Sequence, residues 1–289
     1  MLLHISTEIS SAARHVGEEK AVELVAKAGF DAFDFSMFSM ARYDYKNKCI
    51  KDIPHPLREK DYLAFARRLK QIGRDNGIYC NQSHAPFPVY CPEIRDLMKR
   101  ALECTAEAGG RICVIHPDNY KSAEENAEMY AELLPFAKAC GVKMATENMW
   151  DWDKEKEESK FSACATSADF LAHIRAINDP FLVACLDLGH AEMRGSGEGA
   201  AKMIRDLGMH LQALHIHDND RWHDSHQIPF AMEMDFAEIA RALREVQYTG
   251  ELTLEADAYL GKFTSETVAE GLTDMANAAK RLAALAEAG

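Results

Sequence analysis

The stretch from Ala213 to Phe230, A-L-H-I-H-D-N-D-R-W-H-D-S-H-Q-I-P-F, sets four histidines and three aspartates behind a short apolar run. Leu211 to His217 has the composition of a buried strand. A period of two puts His215 and His217 on one face and Leu214 and Ile216 on the other. That division suits a barrel strand, with aliphatic side chains toward surrounding helices and imidazoles toward an interior. The segment that follows, Asp218 to Phe230, is polar and turn-forming, and Asp224 and His226, two apart, can aim at one point.

Outward from this stretch, short apolar runs alternate eight times with segments of helical period. The expected strands are Leu2-Ser6, Ala32-Ser36, Ile78-His84, Ile112-His116, Val142-Glu147, Leu182-Asp187, Leu211-His217 and Glu251-Ala256. Helices are expected near 18–28, 59–76, 92–108, 121–140, 167–176, 198–207, 235–246 and 265–287, with Gly29, Gly77 and Gly141 as C-terminal stops. No linker or low-complexity tract interrupts the series. Eight βα units in a chain of this length predict an α/β fold, a (β/α)₈ TIM barrel forming one domain over residues 1–289, in preference to an open doubly wound sheet.

An apolar content of 47% supplies ample core material. The formal charge of −13, without a compensating basic run, argues against nucleic acid as the main partner, because such binding needs clustered Lys and Arg. No window approaches the ~20 apolar residues that cross a bilayer, so no membrane partner is expected. The N-terminus lacks a charged and then apolar leader, and the expected location is cytoplasmic. The eight cysteines lack C-x-x-C pairs and several sit in apolar runs, the pattern of reduced core thiols. The composition is compatible with a homo-oligomer.

Residue types that ligate metals fall at one end of the expected strands. His84 closes the third strand, His116 the fourth, Glu147 the fifth and Asp187 the sixth; His215 lies near the end of the seventh and Glu255 closes the eighth. In a barrel these ends converge on one mouth. His190, one turn past Asp187, and the pair Asp224 and His226 add three more. Burying Glu147, Asp187 and Glu255 together is strongly unfavourable unless a cation compensates or the groups stay protonated, so a bound divalent metal is expected. The Glu147, Asp187, His215 and Glu255 set is rich in oxygen donors and suits Mn²⁺, Mg²⁺ or Co²⁺, whereas a second site on His190, Asp224 and His226 suits Zn²⁺. His217, one step beyond His215, is assigned to substrate contact or to the layer behind the ligands. His4, His15, His55, His173, His210 and His223 sit away from strand ends and are read as surface or core residues.

Two connections are longer than usual, Met37 to Arg58 and Asn148 to Thr166, and both follow strand C-terminal ends. The first carries Phe38, Tyr43 and Tyr45, the second Trp150 and Trp152. They are expected to fold an apolar lid over the pocket, with Phe38 and Trp150 touching substrate. The charged run Asp151 to Lys160 reads as a solvated loop.

The motifs S-H-A-P (83–86), H-P (116–117), E-N (147–148), D-L-G-H (187–190), H-I-H-D-N-D (215–220), D-S-H (224–226) and L-E-A (254–256) carry a resemblance over nearly the whole chain. The chain resembles the xylose isomerase-like TIM-barrel superfamily, which includes sugar phosphate isomerases and epimerases and apurinic-site endonucleases. For the sugar enzymes the resemblance implies metal ligation by Glu147, Asp187, His215 and Glu255, with the two glutamates doubling as acid/base catalysts. For the endonucleases it implies a trinuclear zinc cluster that also uses His84, His116, His190, Asp224 and His226. All nine positions are occupied here. The short gap from His215 to Asp224 and the acidic charge resemble the sugar enzymes, while Ile228 to Phe236 departs from the glycine-containing loop that those relatives often carry.

The resulting expectation is a metal-dependent isomerase or epimerase acting on a keto sugar or polyol through an enediolate. An inosose-type dehydratase and a zinc-dependent apurinic-site endonuclease stand as alternatives. The loops after the seventh and eighth strands lack the glycine-rich amide cradle typical of barrel phosphate sites, so an unphosphorylated substrate is expected.

Overall fold

The computed structural model describes residues 3–288. Eight parallel strands form the barrel: β1 (Ile5–Glu8), β2 (Ala32–Ser36), β3 (Tyr79–His84), β4 (Ile112–Val114), β5 (Lys143–Glu147), β6 (Leu182–Asp187), β7 (Leu211–His215) and β8 (Leu252–Leu254). Each pairs with its chain neighbours except β7 with β8, and β1 pairs with β8. Closure between β7 and β8 is carried by Ile216, whose N–H donates to Thr253 O at 2.9 Å while its carbonyl accepts from Glu255 N–H at 2.9 Å. The fold is therefore the expected TIM barrel. The first strand starts three residues and ends two residues later than expected, with Ile5 paired to Leu252 and Ser6 to Ala32. Leu2, the expected start of that strand, lies outside the described residues.

Helices fill the intervals, among them Glu18–Ala28, Tyr62–Asp75, Ala123–Cys140 and Val268–Glu287. Their ends follow local chemistry. Ser122 and Glu125 form a reciprocal capping box, and Gly29 and Gly141 adopt φ of 92° and 67°, the left-handed turn that ends a helix at little cost to glycine.

Strand alternation sorts the two faces. Leu182, Ala184 and Leu186 of β6 and Leu211 and Leu214 of β7 join the large core beneath the helices, while Val183, Cys185 and Ala213 join Val114 and Ala145 in a separate small cluster inside the barrel. The interior beside β1, β2, β3 and β8 is instead polar. A bulge sets Asn81 and Gln82 opposite the single residue Asp34, so both amides reach inward. Asn81 Oδ1 accepts from Ser6 Oγ at 2.7 Å, its Nδ2 donates to Thr253 Oγ1 at 3.0 Å, and Gln82 Nε2 donates to Asp34 Oδ2 at 2.9 Å. This network satisfies groups that are costly to bury unpaired, and it holds Asp34 below the barrel mouth.

Both long connections contain a short antiparallel hairpin. The first pairs Tyr43–Asp44 with Cys49–Ile50, the second Asp151–Asp153 with Glu158–Lys160. The charged run expected as a solvated loop is thus an ordered hairpin, closed by the cross-strand pair Lys160 and Asp151 at 2.9 Å.

Candidate active site

Inward-pointing columns of the barrel end in polar side chains at one mouth. Glu147 terminates β5 and is buried. Its Oε1 lies 2.7 Å from His215 Nδ1, and its Oε2 lies 3.0 Å from His116 Nε2 and 3.7 Å from His84 Nε2. Glu255, just past β8, places Oε2 at 3.5 Å from the same His215 Nδ1 and Oε1 at 3.5 Å from His84 Nδ1. His215 therefore stands between two glutamates. Its other nitrogen, Nε2, faces Asp34 Oδ2 at 3.6 Å. His84, expected only at an accessory site, joins both glutamates here, and its Nε2 lies 2.7 Å from His116 Nε2.

A second cluster begins at Asp187, which ends β6 and caps the short helix Leu188–Glu192 by accepting the His190 N–H at 2.7 Å. Asn148 braces it, accepting the Asp187 N–H at 2.7 Å and donating to the Asp187 carbonyl at 2.8 Å. His190 Nδ1 meets the Asn148 carbonyl at 2.8 Å and His226 Nδ1 the Glu255 carbonyl at 2.6 Å. Each carbonyl takes an Nδ1 proton, so each neutral ring turns an Nε2 lone pair elsewhere. Both turn it on Asp224, at 3.5 Å for His190 and 3.1 Å for His226. A lone pair facing a carboxylate is repulsive, and the arrangement is stable only with a second proton on the ring or a cation between the groups. His217 belongs to this cluster. It is fully buried, stacks on His226 at 4.0 Å between ring centres, and places Nε2 at 3.2 Å from Asp187 Oδ1 and 3.3 Å from Asp224 Oδ1.

Electrostatics express the same crowding. Burial works to raise Glu147, but His215 and His116 bring its carboxyl well below the usual range. Burial drives Glu255 well above that range, helped by the charges of Glu147 and Glu8. Burial opposes charge on His190 as well, yet Asp187 and Asp224 push the imidazole up to about 10. Glu147 Oε2, Asp187 Oδ2, Asp224 Oδ1, His84 Nδ1 and both nitrogens of His217 are buried without a hydrogen-bond partner among the described residues. Buried lone pairs rarely stay unsatisfied. Mutually facing carboxylates and imidazoles with unsatisfied lone pairs are the donor set that a divalent cation completes, so the residues fit a metal. In the second cluster, ligand atoms of His190, His217, Asp224 and His226 lie within 4.8 Å of one another.

The mouth opens into a cavity of about 680 Å³. Glu8, His84, His116, Glu147, His190, Asp224, His226 and Glu255 line its depths, with Phe38 and Trp150 among the side walls; Asp187, His215 and His217 sit behind that lining. Phe38 packs edge-on against His84 at 4.6 Å, Phe87 stacks on His116 at 4.7 Å, and Trp150 Nε1 donates to Asp224 Oδ2 at 3.1 Å. No lysine or arginine lines the cavity among the described residues.

The sequence profile of the xylose isomerase-like TIM barrel family matches residues 22–286. The chain belongs to this family. An uncharacterized protein of Methanocaldococcus jannaschii is 25% identical over 190 residues, a stretch that covers 60% of this chain and 62% of that relative. A solved L-ribulose 3-epimerase superposes with a TM-score of 0.69 at 17% identity, covering 99% of this chain and 94% of its own. The D-psicose 3-epimerase of Clostridium cellulolyticum H10, solved with D-tagatose, gives 0.67 at 16% identity, covering 97% and 99%.

Within this xylose isomerase-like barrel, sequence reasoning missed Glu8, Asp34 and Asn148. Glu8 ends β1 and faces the cavity; Ser10 Oγ donates to its Oε1 at 3.0 Å, and Oε2 is buried without a partner among the described residues. Burial, with Asp257 and Asp34 nearby, raises its carboxyl to about 8. The segment from Ile228 to Phe236, which departs from the glycine-containing family loop, is shaped by Asp218. That buried carboxylate accepts the N–H groups of Met232 at 2.7 Å and Met234 at 3.1 Å.

Proposed function

We propose that this chain is a divalent-metal-dependent epimerase or isomerase of an unphosphorylated ketose or related polyol. One observation carries the reading: two buried glutamates, Glu147 and Glu255, approach one imidazole nitrogen of His215 to 2.7 and 3.5 Å and open onto one cavity. Both solved neighbours are named as sugar 3-epimerases, which supports it.

Glu147, His215 and Glu255 would hold the ion together with Asp187, whose Oδ1 faces the second cluster and whose Oδ2 is buried without a partner among the described residues. When bound, a divalent metal of the manganese, magnesium or cobalt type polarises a carbonyl and its neighbouring hydroxyl and acidifies the C–H bond between them. One glutamate accepts that proton as a base and becomes a carboxylic acid, and the substrate becomes an enediolate. The other glutamate, starting protonated, delivers a proton to the same carbon from the opposite face and inverts it. Return to the adjacent carbon instead gives isomerisation, and loss of a hydroxyl from the enediolate gives dehydration. Phe38 and Trp150 bound the substrate, and the free oxygen of Glu8 offers a partner for one of its hydroxyls. His217 supports the ligands from behind. The absence of lysine and arginine from the lining, among the described residues, favours a neutral sugar over its phosphate. A ketose phosphate turned over ~100-fold better than its free sugar, a gap of about 2.7 kcal/mol, would contradict this choice.

The test is exchange in heavy water. Manganese-loaded protein incubated with D-fructose, D-tagatose and D-psicose should wash deuterium into the carbon beside the carbonyl of at least one of them, read by NMR. The two clusters taken together support a second reading, a zinc-dependent phosphodiesterase of apurinic sites, since between them they occupy all nine positions that the resemblance implies for a three-zinc set. Cleavage of an abasic-site duplex by zinc-loaded protein, with no exchange into any ketose, would establish that reading in place of the first.

A further inference from the structure

Beyond the inner ring of Phe38, Phe87 and Trp150, the cavity continues to a second tier of aromatics: Tyr45, Tyr90, Tyr120 and Trp152. Three of these are exposed, Tyr45 by 61%, Tyr90 by 49% and Tyr120 by 73%. Large aromatics at such exposure, gathered at a cavity mouth, are characteristic of a surface that a ligand or partner covers. They are also held in place. Tyr43 packs edge-on against both Tyr45, at 5.1 Å, and Tyr90, at 5.9 Å; Tyr120 Oη donates to Asp151 Oδ2 at 2.9 Å; Trp152 stacks on His223 at 6.0 Å. The same lining includes Asp118, Asn119 and Asp151, side chains able to accept or donate hydrogen bonds to hydroxyl groups.

Volume points the same way. A single hexose has about twelve non-hydrogen atoms and, at the packing density of organic solids, fills roughly 200 Å³. The cavity measures about 680 Å³, which leaves room for a second ring after one sugar and its ions and waters are seated. Aromatic faces pack against the C–H faces of sugar rings, while the flanking carboxylates and amide take the ring hydroxyls.

We infer that the outer aromatic tier is a subsite for a second sugar ring, so that the substrate is a ketose glycoside whose ketose end enters the inner site. The inference rests on the proposed ketose chemistry and extends it. A substituent on O6 of the ketose lies farthest from the reacting carbons, and with those carbons at the inner site it would extend toward the outer tier, where Tyr120 and Trp152 stand.

The experiment uses manganese-loaded protein, D-fructose and isomaltulose, which is fructose carrying glucose on O6. Calorimetric titration should give at least ~10-fold tighter binding of isomaltulose. Tyr120→Ala and Trp152→Ala should each cut that advantage to less than about threefold while leaving D-fructose binding within about twofold. Equal affinity for the two sugars, with deuterium exchange intact in D-fructose, overturns the subsite and leaves the proposed reaction standing. Failure of both sugars to bind or exchange overturns both. Sedimentation velocity separates the remaining outcome: a wild-type dimer that Tyr120→Ala converts to monomer, with no preference for isomaltulose, makes the aromatic tier a contact between copies and contradicts the inference.

Discussion

Gly189 shows how closely the second cluster is packed, since a Cβ at that position would overlap the His217 imidazole. The glycine of D-L-G-H is what allows the ring to reach Asp187 and Asp224. Gly189→Ala is therefore expected to displace His217, to cost roughly 1–3 kcal/mol in urea unfolding as other overpacked sites do, and to lower zinc bound at this cluster. Unchanged unfolding and unchanged zinc content would contradict the assignment of His217. Asp218→Ala should cost a further ~1–3 kcal/mol by orphaning the N–H groups of Met232 and Met234, and should make the 219–234 loop sensitive to limited proteolysis. At this scale legibility followed parity. His84, Glu147, Asp187, His215 and Glu255 could be named because each stands at the C-terminal end of an expected strand, and for Asp187, His215 and Glu255 the neighbouring outward residues, Leu186, Leu214 and Leu254, are plainly apolar. Glu8 obeys the same rule, but the apolar pair Leu2 and Leu3 drew the expected strand toward the N-terminus and left Glu8 outside it. Asp34 sits between two phenylalanines, and no local signal shows that a bulge in the neighbouring strand brings Gln82 to its carboxylate.

The two long connections were legible as elements with work at the mouth, but their shape was not. Strands of two and three residues leave almost no periodic signal, and the charges of 151–160 concealed a hairpin whose Trp152 reaches the cavity. The first connection is tied to the barrel by Glu18. Its Oε1 accepts from Ser39 Oγ at 3.0 Å and meets His55 Nε2 at 2.9 Å, fastening the chain on both sides of the Tyr43 hairpin. The bond with His55 holds the Glu18 carboxyl below its ordinary value, against the effect of burial. A depressed carboxyl stabilises the fold above its unfolded pKa near 4.5, and that contribution is lost as pH falls through the lower folded value. Glu18→Gln should accordingly cost about 1 kcal/mol at pH 7 and progressively less below pH 4.5, followed by thermal unfolding across that range. A deficit that stays constant down to pH 3 would show that the carboxylate charge is not what fastens the loop.

Over the whole molecule, the barrel divides its labour between an apolar interior under β4 to β7 and a polar one under β1, β2, β3 and β8, and the buried carboxylates stand where the two halves meet the mouth. Such a concentration of acid in a chain of net charge −13 weakens the fold unless cations bind, so chelation should lower the melting temperature. Manganese present at about a hundred times its dissociation constant should restore roughly 2.7 kcal/mol, a shift of several degrees by scanning calorimetry. Identical melting with and without metal would count against the metal reading. The most direct measurement compares deuterium exchange into an accepted ketose across four variants, with metal content determined on each. Glu147→Gln and Glu255→Gln should retain metal yet lose about 10²- to 10⁴-fold in exchange rate, because they keep an oxygen ligand and lose the base. His190→Ala and His226→Ala should keep most of the exchange. If the two histidine variants retain the metal held by the glutamates and are as inactive as the glutamate variants, the two-glutamate proton transfer is contradicted and the reaction requires both clusters.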